Sequence, residues 1–187
     1  MNTIFIKNMV CDRCIMAVKN TFEQLNIIVK NIQLGEVSTQ QQLSKKELDL
    51  LRKSLSELGF ELIDDKKSQL IDKIKIKIIE IVHHQNNEIN KNLSEILSQS
   101  IHHDYAYISN LFSEVEGITI EKYFIAQKIE RVKELLVYDE LSLSEIAYQL
   151  NYSSVAYLSN QFKKVTGLTP SHFKQIKSDK RKSLDKV

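Results

Sequence analysis

The chain has 187 residues, a formal net charge of +2, 42% hydrophobic and 27% charged residues. That length admits one domain or two small ones, and that composition excludes a chain that is low-complexity, collagenous or disordered throughout. No apolar run reaches the roughly 18–20 residues a bilayer span needs, and the N-terminal MNTIFIKNMVCDRC has no basic segment followed by a long apolar one. The expectation is a cytoplasmic protein with no membrane partner and no signal peptide.

One Pro and four Gly are few for a fold rich in tight turns, so a mostly helical chain is expected. Thr3–Lys7 is a short β-prone run. Cys14–Leu25 carries Ile15, Val18, Phe22 and Leu25 at helical spacing. Ile27–Leu34 is β-branched and partly alternating, and Gly35-Glu36 can turn it into Val37–Gln41. Ser44 with Glu47 has the form of a capping box, opening a helix through Leu48, Leu51, Leu55 and Leu58 that Gly59 stops. Phe60–Ile63 is a last strand. The order βαββαβ within residues 1–65 is the split βαβ, or ferredoxin-like, layout of an α+β domain. The polar run Asp64–Ser68 marks a boundary.

Leu70–His84 fits a strand through Ile74, Ile76 and Ile78, and a helix through Ile71, Ile74, Ile78 and Ile81 equally well. Its length favours helix. Residues 92–136 and 142–174 carry helical patterns, opened by Asn92 with Glu95 and by Ser142 with Glu145. Ile125, Ile129, Val132 and Leu136 mark a long central helix. The tail 178–187 is charged and basic.

The sequence repeats at a spacing of fifty. Leu93–Ile96 falls on Leu143–Ile146, Gln99 on Gln149, Ala106-Tyr107 on Ala156-Tyr157, and Ser109-Asn110 on Ser159-Asn160. Phe112 falls on Phe162, and Val115, Gly117 and Thr119 fall on Val165, Gly167 and Thr169. That makes 13 identities across 93–119 without a gap. Each copy reads as a capped helix (92–101, 142–150), a short polar turn, and a second helix (105–116, 155–166). Asp104 or Ser154 caps the second helix, and Gly117 or Gly167 ends it. This is a helix-turn-helix. A joining helix of about 16–20 residues would hold the two second helices roughly 25–35 Å apart, near one turn of B-DNA.

The run from Phe162 through Lys163, Lys164, Val165, Thr166, Gly167, Leu168, Thr169, Pro170, Ser171, His172 and Phe173 to Lys174 resembles the C-terminal signature of AraC/XylS-type transcriptional regulators. So do Ile146-Ala147 and Ala156–Ser159. The resemblance covers about 70–177 and implies an all-α, bilobal, seven-helix domain (66–177) that binds double-stranded DNA with two recognition helices. RNA polymerase is the further partner it suggests. It places Tyr105, Ala106, Ser109, Asn110, Val155, Ala156, Ser159 and Asn160 toward base edges. Asn can pair with adenine N6 and N7, and Ala or Val can touch a thymine methyl. Each polar position could equally be merely solvated. Ser154 stands with this set, and Lys163 and Lys164 would meet phosphates. Three departures stand out: Asn151 replaces a common Gly, Ile101 takes that place in the first copy, and Asn110 and Asn160 replace a common Arg. Ile108, Phe112, Leu158 and Phe162 are assigned to the core. His83, His84, His102 and His103, two adjacent pairs without ligand spacing, are assigned to the surface.

Charge separates the copies. Residues 151–177 hold no Asp or Glu but have Lys163, Lys164, Lys174 and Lys177. Residues 93–117 hold no Lys or Arg but have Glu95, Asp104, Glu114 and Glu116. Since net charge is small, DNA affinity must come from a local patch, and the second copy should supply most of it.

Met9-Val10-Cys11-Asp12-Arg13-Cys14 lies between the first strand and the first helix. This placement resembles the heavy-metal-associated domain of copper chaperones and pumps, with Asn8 and Val10 departing from its pattern. Two thiolates at a helix N-terminus beside Arg13 should both have lowered pKa values. Cys11 and Cys14 are the candidate ligands for Cu(I) or another soft metal. Zn²⁺ wants four ligands, which a dimer sharing one ion could supply. A thiol–disulfide pair, or cysteines that simply pack, remain open alternatives. No catalytic constellation or phosphate loop is seen, so an enzyme is not expected. The expected function is a DNA-binding regulator with a small N-terminal domain that responds to a soft metal. The alternative is a metal carrier with a degenerate helix-turn-helix module. Oligomeric state is open.

Overall fold

The computed structural model describes residues 2–63, 66–83 and 92–176. The expected linker residues Asp64 and Asp65, His84, Lys177 and the 178–187 tail lie outside them. The chain divides into two compact units, Met1–Ile76 and Lys77–Val187. The division falls within a helix that begins directly after the polar 64–65 dipeptide.

The N-terminal unit runs β1 (Asn2–Lys7), α1 (Asp12–Gln24), β2 (Val29–Gln33), β3 (Glu36–Thr39), α2 (Lys45–Glu57) and β4 (Glu61–Ile63). The strands form one sheet in the order β2-β3-β1-β4, antiparallel throughout. Phe5 pairs with Glu36 on one side and Ile63 on the other, and Ile6 pairs with Leu62. Alternation along β1 sends Ile4 and Ile6 to one face and Phe5 to the other. Ile6 shares a core with Val18 and Phe22 of α1 and Leu51 and Leu55 of α2. Ser44 and Glu47 close the expected capping box around the start of α2. Leu58, expected on the apolar stripe of α2, is instead more than half exposed, because the helix ends there and Gly59 takes φ +84°.

The opposite face of the sheet receives the first half of α3 (Lys66–His83). Lys73 sits 5.1 Å from the Phe5 ring centre and 3.8 Å from Glu36. A Cβ on Gly35 would come within 2.6 Å of Ile76. The segment is helix, as its length argued. Ile71, Ile74, Ile78 and Ile81 are all buried.

The C-terminal unit contains the end of α3, then α4 (Leu93–Ile101), α5 (Tyr105–Glu116), α6 (Ile120–Tyr138), α7 (Leu143–Gln149), α8 (Val155–Thr166) and α9 (Pro170–Ile176). Helix α6 contacts α5, α7, α8 and α9. Its 19 residues span about 28 Å at 1.5 Å each. Ile129, Val132, Ile146, Leu158, Phe162 and Phe173 form one core, and Leu97, Ile108, Phe112 and Ile120 are fully buried in the other half.

Candidate nucleic-acid interface

The fifty-residue repeat is a repeat of structure. Asp104 caps α5 by accepting from the N–H groups of Ala106 and Tyr107, and Ser154 caps α8 by accepting from that of Tyr157. Gly117 and Gly167 end the two helices at φ +70° and +78°, a region that favours Gly. Thr119 and Thr169 then accept from Lys122 and His172 N–H, opening α6 and α9 alike. Phe112 lies 5.6 Å from Tyr123, and Phe162 lies 5.5 Å from Phe173. The duplication therefore reaches Tyr123 and Phe173, four residues past the last sequence identity.

The turns differ. In the second copy Asn151 takes φ +52°, which its short amide side chain tolerates. Ile101 occupies that place in the first copy, and a β-branched residue resists this conformation. There α4 continues through Ile101, and the left-handed residue becomes His102 at φ +58°. Asn92 begins α4 without the side-chain bond its type suggested, whereas Ser142 and Glu145 make a full capping box.

Both second helices present an open face. Ala106, Tyr107, Asn110 and Glu114 are exposed on α5, and Ala156, Tyr157, Asn160 and Lys164 are exposed at the same positions of α8. Lys163 is exposed beside them, and Ser154 at the N-cap is also exposed. Ser109, Ser159, Tyr105 and Val155 are half-buried. The expected core residues Ile108, Phe112, Leu158 and Phe162 have no exposed area. Tyr105 donates its hydroxyl to Glu121 at 2.5 Å, so that group is engaged within the unit. Burial, and then this carboxylate, raise the Tyr105 pKa; the same bond lowers that of Glu121. Tyr107 and Tyr157, about half exposed beside the small Ala residues, belong to the face although they were not among the sequence candidates. Their identity across the repeat was the available signal.

The charges also need correction. Lys174 pairs with Asp139, so its charge is already balanced. Lys163 and Lys164 are exposed in the last turn of α8, and neither enters an ion pair with a described residue. Ser154 uses its oxygen as the cap acceptor and retains a hydroxyl proton to donate. His102 and His103 are exposed as expected. His83 is not a surface residue: its side chain is 7% exposed and lies 3.8 Å from Glu134.

Residues 97–176 match the helix-turn-helix domain family HTH_18. This part of the chain is an AraC-type DNA-binding domain. The chain is similar to the C-terminal domain of AraT, a response regulator from Geobacillus stearothermophilus, at 22% identity and a TM-score of 0.51. That match covers 63% of this chain and 95% of the other. It is also similar to the C-terminal domain of the two-component response regulator yesN from Fusobacterium nucleatum, at 30% identity and a TM-score of 0.45, over 52% and 93%. A transcriptional regulator from Chromobacterium violaceum matches at 15% identity and a TM-score of 0.49, over 57% and 94%. No curated protein matches the chain. Among the described residues no helix is long and apolar enough to cross a membrane.

The N-terminal unit brings its two cysteines together. Cys11 is the N-cap of α1, Cys14 lies in its first turn, and the sulfurs are 3.4 Å apart. Both are half-buried. Met9, which precedes them, is fully buried in the core. The two thiols do not shift together as the helix dipole suggested. At Cys11 burial opposes ionisation, but hydrogen bonds from the Cys14 backbone and side chain, the Arg13 backbone and the Arg13 charge outweigh it and lower the pKa. At Cys14 burial, reinforced by the Cys11 side chain, raises it. Among the described residues no third His, Cys, Asp or Glu joins the pair as a metal ligand. Two soft sulfurs suit Cu(I), and they fall short of the four ligands of a structural Zn²⁺ site.

Proposed function

We propose that this chain is a sequence-specific transcriptional regulator of AraC/XylS type, acting in the cytoplasm as a DNA reader and not as an enzyme. The observation that carries this reading is the pair of equivalent exposed faces on α5 and α8, with lysines that pair with no described residue on α8 alone. In this reading α5 and α8 enter successive major grooves of double-stranded DNA. Ala106, Asn110, Ala156 and Asn160 meet base edges, with Ser109 and Ser159 at the border of each face. Tyr105 and Val155 support the faces from partly packed positions. Lys163 and Lys164 take phosphates, with Ser154 donating to another. RNA polymerase is the expected further partner.

The N-terminal unit is proposed as a heavy-metal-associated-like domain. The element sequence and the strand order β2-β3-β1-β4 support a ferredoxin-like layout. Cys11 and Cys14 would hold a soft metal ion such as Cu(I), whose bound charge would alter the electrostatics of the loop. Hydrogen bonds from Cys14 and Arg13 lower the Cys11 pKa, which favours the thiolate form that a soft metal binds.

Selection of bound duplexes from a random pool tests the DNA reading. The expected result is an enriched motif with two half-sites about one helical turn apart. Binding without enrichment would sink it. Anisotropy with the selected duplex, with and without Cu(I), then tests regulation. Affinity should change for the parent chain and not for Cys11→Ser or Cys14→Ser.

A further inference from the structure

A cavity of about 380 Å³ opens in the C-terminal unit among the end of α3, the start of α4, the middle of α6 and the end of α7. Its walls are largely apolar, from Ile81, Val82, Leu93, Ile96, Phe124 and Leu150. Small-molecule sites fall at about 300–1,000 Å³, with apolar walls and a few placed polar groups. The polar groups here are Lys128 and the amides of Asn92, Gln149 and Asn151.

Lys128 is the distinctive group. Its Nζ lies 3.8 Å from the Tyr152 ring centre and 5.6 Å from that of Phe124. On its own helix the residues three and four away are Phe124, Ile125, Arg131 and Val132, so no acid sits above or below it. Among the described residues it forms no ion pair. Burial lowers its pKa to about 8. An ammonium in an apolar wall is poorly compensated by ring faces alone and gains from an anion. The cavity adds a second favourable field. Helix α4 begins at its wall, and the cap residue Asn92 makes no side-chain bond there.

We propose that this cavity binds a small, mainly apolar monocarboxylate, with its carboxylate on Lys128 and its hydrocarbon against the Ile, Leu and Val walls. The occupant would touch α4 of the first helix-turn-helix and α7 of the second. The site does not rest on the DNA reading, since its occupancy is measured without DNA.

The test uses the full chain with octanoate as probe and 1-octanol as its uncharged match, followed by methyl NMR. Octanoate should bind at least about ten-fold more tightly than 1-octanol, and its methylenes should give nuclear Overhauser contacts to the methyls of Ile81, Leu93 and Ile96. Lys128→Met should erase the preference, and Lys128→Arg should keep it. Equal binding of the two probes, absence of those contacts, or full octanoate binding by Lys128→Met would each overturn the proposal. Should Lys128→Met fail to fold, the parent chain's probe ratio and contacts decide.

Discussion

Replacing Lys163 and Lys164 together by Gln removes two exposed ammonium groups from the last turn of α8. Neither is committed to an ion pair with a described residue, so the fold should lose little. On DNA each would release condensed counterions, contributing about 0.9 to the slope of log affinity against log salt. Losing both should flatten the slope by about 1.8. If the other contacts stay in place, affinity falls about 60-fold at 0.1 M salt and only about 9-fold at 0.3 M. Glu114 occupies the position of Lys164 in the first copy and is also exposed. Glu114→Lys should steepen the slope by about 0.9 and tighten binding by up to about 8-fold at 0.1 M. Fluorescence anisotropy on one selected duplex, titrated at four salt concentrations, measures both slopes. An unchanged slope in the α8 double variant would refute the claim that this helix end faces phosphates. A loss of affinity with an unchanged slope would assign the lysines to shape or stability instead.

Three further outcomes follow from the geometry. Gly35→Ala should destabilise the N-terminal unit by at least about 1 kcal/mol in urea unfolding, because φ is +75° and the new Cβ would stand 2.6 Å from Ile76 Cδ1. Ser142→Ala should cost about 1 kcal/mol by breaking a complete capping box, while Asn92→Ala should cost a few tenths at most, since Asn92 makes no capping bond. Iodoacetamide at neutral pH, read by mass spectrometry, should alkylate Cys11 before Cys14, because hydrogen bonds lower the first thiol and burial raises the second.

Periodicity carried most of the element order. The spacing of Ile71, Ile74, Ile78 and Ile81 is visible without coordinates, and all four are buried. So is the Ser44–Glu47 box, a purely local interaction. What stayed hidden was set by distant contacts. Nothing local ties Lys174 to Asp139 across 35 residues, or turns the Tyr105 hydroxyl onto Glu121. Nothing local to His83 foretells its 7% exposed side chain or its place 3.8 Å from Glu134 of α6. The thiols illustrate the same limit. A helix dipole acts on both, but burial raises Cys14, while at Cys11 hydrogen bonds from the Cys14 backbone and side chain outweigh burial.

The two helix-turn-helix copies are alike where folding constrains them and unlike where it does not. At the core pair position Tyr123 matches Phe173, a change that keeps the ring and its packing distance. At the turn, Ile in place of Asn shifts the left-handed residue by one, and the second helix still starts in register with its repeat. At the exposed position 114/164, by contrast, an acid faces a base. A solvent-facing change of that kind usually moves stability by less than about 0.5 kcal/mol. Stability therefore leaves this charge free to take either sign. A polyanion does not: it repels Glu114 and attracts Lys164 through the same counterion balance that governs the slopes above. The difference between the copies thus bears on docking to DNA and hardly on the fold that presents the two helices.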